Sequence, residues 1–368
     1  MKLHLYVARK FAMIFLGLLL VFGLIITLLD MVEQLRRFDT SEIALSGALE
    51  LALLAMPQSL YRILPLVVIL ATIALFLGLA RTSELVVTRA AGRSALRALA
   101  APVAVALLIG AAGVAVLNPI VAGTMQRYEV RASALSNEGV SVLSVSDEGL
   151  WLRQGGPSGQ TVIRAERASV DGTRFSTVTF IEFAPPGSAR TGPVRRIEAA
   201  AARLAPGQWE LTDAKVWPLD AANPEAAAQR LDRLTLPSTL TREQILDSFG
   251  SPASVPIWEL PDYIDNLTEA GFSARLHRVW LQMELALPLF LAGMVMVGAG
   301  FTMRHTRFGR TGVMVLLSLL MGFGVYFVRN FAQILGEDGQ IPVALAAWAP
   351  PAATILMALG LLLHLEDG

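Results

Sequence analysis

Apolar residues in this chain gather into six long runs rather than into the short alternating stretches of a globular core. Phe11 to Leu29, Leu51 to Ala80 and Ala95 to Leu117 form one group; Leu281 to Met303, Val313 to Leu335 and Ile341 to Leu363 form another. A helix rises ~1.5 Å per residue, so roughly 20 apolar residues cross a ~30 Å hydrocarbon core. Each run is therefore read as a spanning helix, with Pro57 and Pro65 expected to break the second and Asn118-Pro119 expected to stop the third. Between the groups hydropathy collapses. "GLWLRQ", "TVIRAERASV", "RFSTVTFIEF", "RRIEAAAARL" and "GQWELTDAKVW" are short stretches, several with partial period-two alternation, set between Gly, Pro, Ser and Asp turns. That grammar predicts an all-β domain, a sandwich or jelly roll.

The predicted fold class is thus a polytopic α-helical membrane protein with six transmembrane helices and an inserted jelly-roll-like β domain. Residues 1–119 form the first membrane half, 120–256 the β domain, and 257–368 the second half, which a short helix outside the membrane precedes. Lys2, Arg9 and Lys10 before the first run imitate a signal peptide, but the run is too long and "DMVEQLRR" follows it without a cleavage site. It reads as an anchor.

Composition narrows the function. Of 368 residues, 54% are hydrophobic and 16% charged, and the mean hydropathy is +0.56. Formal net charge is zero, so no global basic field draws the chain to nucleic acid. Cysteine is absent, which excludes disulfides, thiolate metal sites and a thiol nucleophile. The three lysines, Lys2, Lys10 and Lys215, do not follow a glycine, so there is no phosphate-cradling loop. His4, His277, His305 and His364 are scattered and show no H-E-x-x-H. "GPSG" at 156–159 matches a short serine-protease string, yet it falls in a polar turn where those residues serve the backbone. The chain is read as non-enzymatic, with no cofactor of its own.

Charge also orients the chain. One set of span ends carries Lys2, Arg9 and Lys10; Arg81, Arg89, Arg93 and Arg97; and Arg304, Arg307 and Arg310. The opposite short loops hold chiefly Arg36 and Arg37, with Glu337 and Asp338. The positive-inside rule then places both termini in the cytoplasm and the β domain outside.

Two sets of residues are candidate sites. "SELVVTRAAGRS" (83–94) lies on the cytoplasmic side between the second and third spans. Thr82 or Ser83 is suited to capping a helix, Glu84 to its first turn, and Arg89, Arg93 and Arg97 recur every four residues beside apolar Leu85 and Val86. Two readings fit: a surface-lying connector whose arginines meet lipid headgroups, or a coupling helix seated in a cytoplasmic partner. The second set is outward: Arg36 and Arg37 after the first span, Arg62 between the prolines of the second, Arg127 and Arg131 after the third, Arg275 and Arg278 before the fourth, and Arg329 late in the fifth. Ordinary snorkelling explains each alone; together they form a basic rim suited to phosphate or carboxylate headgroups. Asp30, Glu33, Asp39 and Glu42 offset part of it.

"SELVVTRAAG" (83–92), "DEGLWLRQG" (147–155), "ELPDYIDNLTEAGFSARLHR" (259–278), "LALPLFLAGMVM" (285–296) and "AAWAP" (346–350) resemble the LptF/LptG family of lipopolysaccharide export permeases over essentially the whole chain, the LptG branch best. The resemblance implies a non-catalytic subunit of an ABC-type exporter in the bacterial inner membrane, with its β domain in the periplasm. It further implies a sister permease like LptF, a dimer of an LptB-like ATPase that binds the ATP and magnesium, and LptC-like and LptA-like jelly-roll partners. Lipopolysaccharide would be the substrate, taken from the outer leaflet and passed along the β domain. By the family pattern Glu84 meets the ATPase, with Leu85, Arg89 and Arg93 on the same helix, and Arg36, Arg37 and Arg131 fall where members carry basic residues near lipid A phosphates. Arg62 and Arg329 complete the candidate headgroup contacts. Asp30 and Glu284 depart from the family, standing where members often carry basic residues. The competing class is a membrane-anchored sensor or scaffold in which segment 81–97 is dispensable and no ATPase associates.

Overall fold

The fold follows from two different ways of satisfying backbone polar groups, helices where lipid surrounds the chain and a sheet where water does. The computed structural model describes residues 2–37, 45–84, 95–135, 144–146, 149–156, 159–169, 173–184, 192–238, 240–241, 245, 251–269, 273–303 and 311–367. Chain contacts divide it into two units: Met1–Leu135 with Ala253–Trp258 and Arg275–Gly368, and Ser136–Pro252 with Glu259–Ala274.

The first unit holds six helices long and apolar enough to cross a membrane. They are α1 (Lys2–Arg37), α2 (Leu45–Arg81), α3 (Ala95–Ala112) continued through a π-helical turn (Gly113–Leu117) into α4 (Asn118–Leu135), and, after the β unit, α6 (Arg275–Thr302), α7 (Thr311–Glu337) and α8 (Val343–Asp367). α6 is the centre, packing on α2, α3, α7 and α8, and its Phe290, Leu291, Met294 and Val295 are buried with Leu64, Val68 and Phe76 of α2. Thr72, Thr302 and Thr354 sit inside this apolar mass because each hydroxyl donates back to a carbonyl one turn earlier.

Two sequence expectations are corrected. Pro57 and Pro65 do not break the second span; α2 runs through both, as packed neighbours allow in a membrane helix. Asn118-Pro119 does not stop the third span, which continues to Leu135. Pro119 removes the N–H that would serve the Ala115 carbonyl in a regular helix, and the Trp258 indole N–H fills that place at 3.2 Å. The π turn absorbs the extra residue, the Asn118 N–H reaching back to Gly113.

The second unit is one antiparallel sheet in chain order: β1 (Ser144–Ser146), β2 (Gly149–Gly156), β3 (Gly159–Ala168), β4 (Arg174–Phe183), β5 (Pro193–Ala205), β6 (Gln208–Pro218) and β7 (Gln229–Pro237). α5 (Leu260–Glu269) belongs to it. The sheet carries a crease. Thr177 and Asp213 have φ of 51°, the left-handed region, in mid-strand, and pairing is interrupted there without a change of register, Ser176 pairing with Ala201 and Val178 with Ala199. Inward residues change phase across it: Phe175, then Val178 and Phe180; Ile197 and Ala199, then Ala202 and Leu204; Trp209 and Leu211, then Ala214. The bent sheet closes over Trp209, flanked edge-on by Phe175 at 5.3 Å and Phe180 at 5.7 Å. Gln154 of β2 accepts from the Trp209 indole at 3.2 Å and donates to the Pro237 carbonyl at 3.1 Å, so the two ends of the sheet meet. The inserted all-β domain predicted from alternation is present, as one bent sheet whose strands follow chain order.

The tightest helix crossing is at Gly110, where an added Cβ would lie 2.4 Å from Cα of Pro288. Gly110→Ala is expected to lower stability by about 1–3 kcal/mol through forced separation of α3 and α6. Gly17→Ala, where nothing lies within 4 Å, is expected to leave it unchanged. Unfolding of the two detergent-solubilised variants checks the difference.

Candidate functional site

Three clusters of polar side chains stand out in the membrane unit. At the end of α2 the helix terminates on Ser83, whose φ of 58° is left-handed. Glu84 then turns back toward α1. Its Oε1 accepts from Thr82 Oγ1 at 2.8 Å, Lys10 Nζ at 3.3 Å and Tyr6 OH at 3.3 Å, while Lys10 also donates to Tyr6 OH at 3.1 Å. The Thr82 hydroxyl, then Lys10 and Tyr6, hold the Glu84 carboxyl below its ordinary value. Leu85, Arg89 and Arg93 lie outside the described residues.

The second cluster joins the far ends of α1, α2 and α4. Gln34 donates to Tyr128 OH at 3.0 Å and Arg37 to the same oxygen at 3.5 Å. Arg131, one turn beyond Tyr128, pairs with Glu50 of α2 at 3.4 Å, both exposed. Arg36 and Arg37 are exposed as well. Arg37 and Arg131 are therefore brought together around α4, and a fully exposed ion pair such as Arg131–Glu50 is weak enough to exchange for another anion.

Arg62 and Arg329 belong to a third group. Arg62 is exposed, and its carbonyl accepts from Tyr326 OH of α7 at 3.3 Å. Beside it Glu284, 2% exposed, receives Tyr61 OH and, at 3.4 Å, Asn118 Nδ2. The Asn118 Oδ1 in turn accepts the Ile257 N–H at 2.9 Å. Arg329 lies over the Phe290 ring at 5.3 Å and interacts electrostatically with Glu284. Arg275 turns away from the rim, donating to the carbonyls of Gly336 at 2.6 Å and Ile341 at 2.5 Å where α7 ends. Gly339, φ 83°, closes that end, with Gln340 N–H bonded to Leu335 and Gly339 N–H to Gly336.

Sequence reasoning did not join Tyr6, Lys10 or Tyr61 to any site, because a tyrosine in an apolar run carries no signal until its partner is known. Glu284 and Asn118 gave a usable signal: an acid and an amide inside apolar runs need partners. Among the described residues no group of three or more His, Asp or Glu side chains is placed to hold a metal ion.

Six apolar helices among the described residues, three before and three after an antiparallel β unit in the chain, define a polytopic membrane protein with an inserted β domain. The family model for the lipopolysaccharide export system permease LptF/LptG matches residues 5–364. The lipopolysaccharide export system permease protein LptG of Escherichia coli (strain K12) is 26% identical over 351 residues, 92% of this chain and 91% of its own length. LptG of Escherichia coli O6:H1 aligns with the same identity and coverage. The chain belongs to the LptF/LptG family of lipopolysaccharide export permeases.

The bonding around Glu84 has a measurable consequence. A lowered carboxyl keeps its charge, and its contact with Lys10, until the pH falls through the lowered value. Thr82→Val is expected to move that value upward toward an ordinary glutamate, read from the Glu84 carboxylate infrared band assigned against Glu84→Gln. An unchanged titration contradicts the assignment.

Proposed function

We propose that this chain is the LptG-like permease subunit of an ATP-driven exporter that draws lipopolysaccharide out of the periplasmic leaflet of the bacterial inner membrane. The observation that carries the reading is the apolar face left open on two spans. On α1, Leu16, Leu20, Leu24 and Leu28 recur every four residues and are all exposed; on α7, Leu316, Leu320, Phe323, Phe327 and Phe331 recur at steps of three or four and are exposed as well. Helices otherwise apolar throughout gain nothing from such stripes unless lipid tails or a partner cover them. With α2, they supply half of a cavity for a multi-acyl lipid, and a sister permease like LptF supplies the other half.

At the outward end Arg36, Arg37, Arg62 and Arg131 are suited to the phosphates of the headgroup. The β domain then receives the lipid and passes it to LptC-like and LptA-like jelly rolls. At the cytoplasmic end Glu84 meets an LptB-like ATPase dimer, which binds the ATP and magnesium; this chain itself is not an enzyme. Because Glu84 is bonded to Lys10 and Tyr6 of α1, closure of the ATPase would pull on the cavity wall directly and expel the lipid outward. Both termini are cytoplasmic in this arrangement.

Co-expression of the tagged chain with its ATPase and sister permease, followed by purification in nanodiscs, tests the proposal. The wild type is expected to carry the ATPase and turn over ATP, and Glu84→Ala to lose at least tenfold of that turnover while remaining folded. Absence of any associated ATPase would favour a membrane-anchored scaffold instead.

A further inference from the structure

A short segment ahead of the fourth span is fastened to the third. Residues Ala253–Trp258 belong to the membrane unit, although the chain on either side of them, up to Pro252 and from Glu259, belongs to the β unit. They form a strap that meets α4 and the π turn in order, antiparallel to the helix. Gln126 Nε2 donates to the Ser254 carbonyl at 2.8 Å, the Ile257 N–H donates to Asn118 Oδ1 at 2.9 Å, and the Trp258 indole N–H donates to the Ala115 carbonyl at 3.2 Å. Ala253, Ser254 and Ile257 are buried. Beyond a 3-10 turn at Pro252–Ser254 the strap has no regular structure, and these side-chain bonds take the place of a ladder.

Asn118 is the adaptor in that row. It is 2% exposed, and its amide stands between the Ile257 N–H, which can only donate, and Glu284 Oε2, which accepts from Nδ2 at 3.4 Å. Turned over, the amide would set its own donor against the Ile257 N–H, so the strap fixes its orientation and aims Nδ2 at Glu284. Tyr61 of α2 donates to the same carboxylate oxygen. A continuous row of hydrogen bonds therefore joins Tyr61, Glu284, Asn118 and Ile257, running from α2 through α6 and α4 to the strap. Asn118 also closes the π turn, its N–H on the Gly113 carbonyl, and such irregular turns are found most often at functional sites.

We propose that Asn118 is a positioning residue of the exporter: it ties the strap to the Tyr61–Glu284 bond, so that separation of α2 from α6 frees Ile257 and loosens the chain just before it enters the β unit at Glu259. The transport role rests on the permease reading above; the tie itself does not. α2 walls the proposed lipid cavity, and a cavity that collapses must shift α2 against α6. Asn118 turns that shift into freedom of the strap without touching the lipid.

Amide hydrogen exchange of the purified full-length chain in nanodiscs tests the tie, read by mass spectrometry over residues 251–258, with residues 354–362 of α8 as reference. Asn118→Leu is expected to speed exchange of the strap about tenfold, the effect of losing one buried hydrogen bond. Glu284→Leu and Tyr61→Phe alter residues with no bond to the strap, and each is expected to speed its exchange by about threefold or more. Glu284→Gln still offers Asn118 an oxygen and is expected to leave the strap as slow as in wild type. The reference stretch stays slow in all four variants.

A strap that exchanges at the wild-type rate in Tyr61→Phe overturns the inference even if Asn118→Leu speeds it, because Asn118 is then only a local peg. Equal acceleration of strap and reference overturns it too, as general loosening. Should Glu284→Leu not fold, Tyr61→Phe decides alone. In the exporter assembled with its ATPase and sister permease, trapping the ATPase with vanadate is expected to speed the strap of wild type and to add nothing in Asn118→Leu. No change on trapping overturns the transport role while leaving the permease reading intact. If no ATPase associates, the permease reading fails, and the tie is still judged by the exchange rates of the chain alone.

Discussion

A carboxylate among spanning helices must be compensated or it will not stay there, and the buried Glu284 sets the terms for the helices around it. Its hydrogen bonds come from α2 and from the first residue of α4. Three helices, α2, α4 and the central α6, thus meet at one side chain. Between lipid-bathed helices apolar packing alone gives little direction, because lipid tails are as apolar as leucine. A polar node supplies direction, and the close approach of Gly110 to Pro288 one turn away fixes the distance. Replacing this node with well-packed apolar groups would be no less stable in principle; what it provides is a defined seating of α2 and α4 against α6.

The β unit meets a different constraint. A flat sheet of this length would expose one whole face of the strands that carry Trp209, and the crease at Thr177 and Asp213 folds it over that tryptophan instead. The alanines at 199–202 lie along the crease, where small side chains permit the two halves to approach. Gln154 then ties β2 to the residues ending β7.

Six spans and an inserted β domain were legible in the sequence because length and hydropathy are one-dimensional signals. Alternation was only partial for a physical reason: the backbone turn at the crease shifts the inward phase in β4, β5 and β6. Asn118-Pro119 read as a helix stop because the compensating donor, Trp258, is far away in sequence. The same limit governs the candidate sites. Position in an amphipathic segment made Glu84 a candidate, but that Lys10 and Tyr6 reach it from α1 was not readable. Arg36, Arg37, Arg62 and Arg131 are exposed, yet helix rotation sets Arg329 half-buried over the Phe290 ring. Heptad spacing from Gly322 was the clue to that rotation, and it becomes informative only once the Ile69 contact is known.

Whether the Tyr61–Glu284 hydrogen bond organises this region is most directly tested by a double-mutant cycle on stability. Unfolding free energies in mixed micelles would be measured for wild type, Glu284→Ala, Tyr61→Phe and the double variant. Each single substitution should leave a buried polar group short of its partner and destabilise the chain, and the double should cost less than the sum by more than about 1 kcal/mol. Additive losses would mean that the two side chains do not act on one another, and the account of how α2 is held against α6 would be wrong.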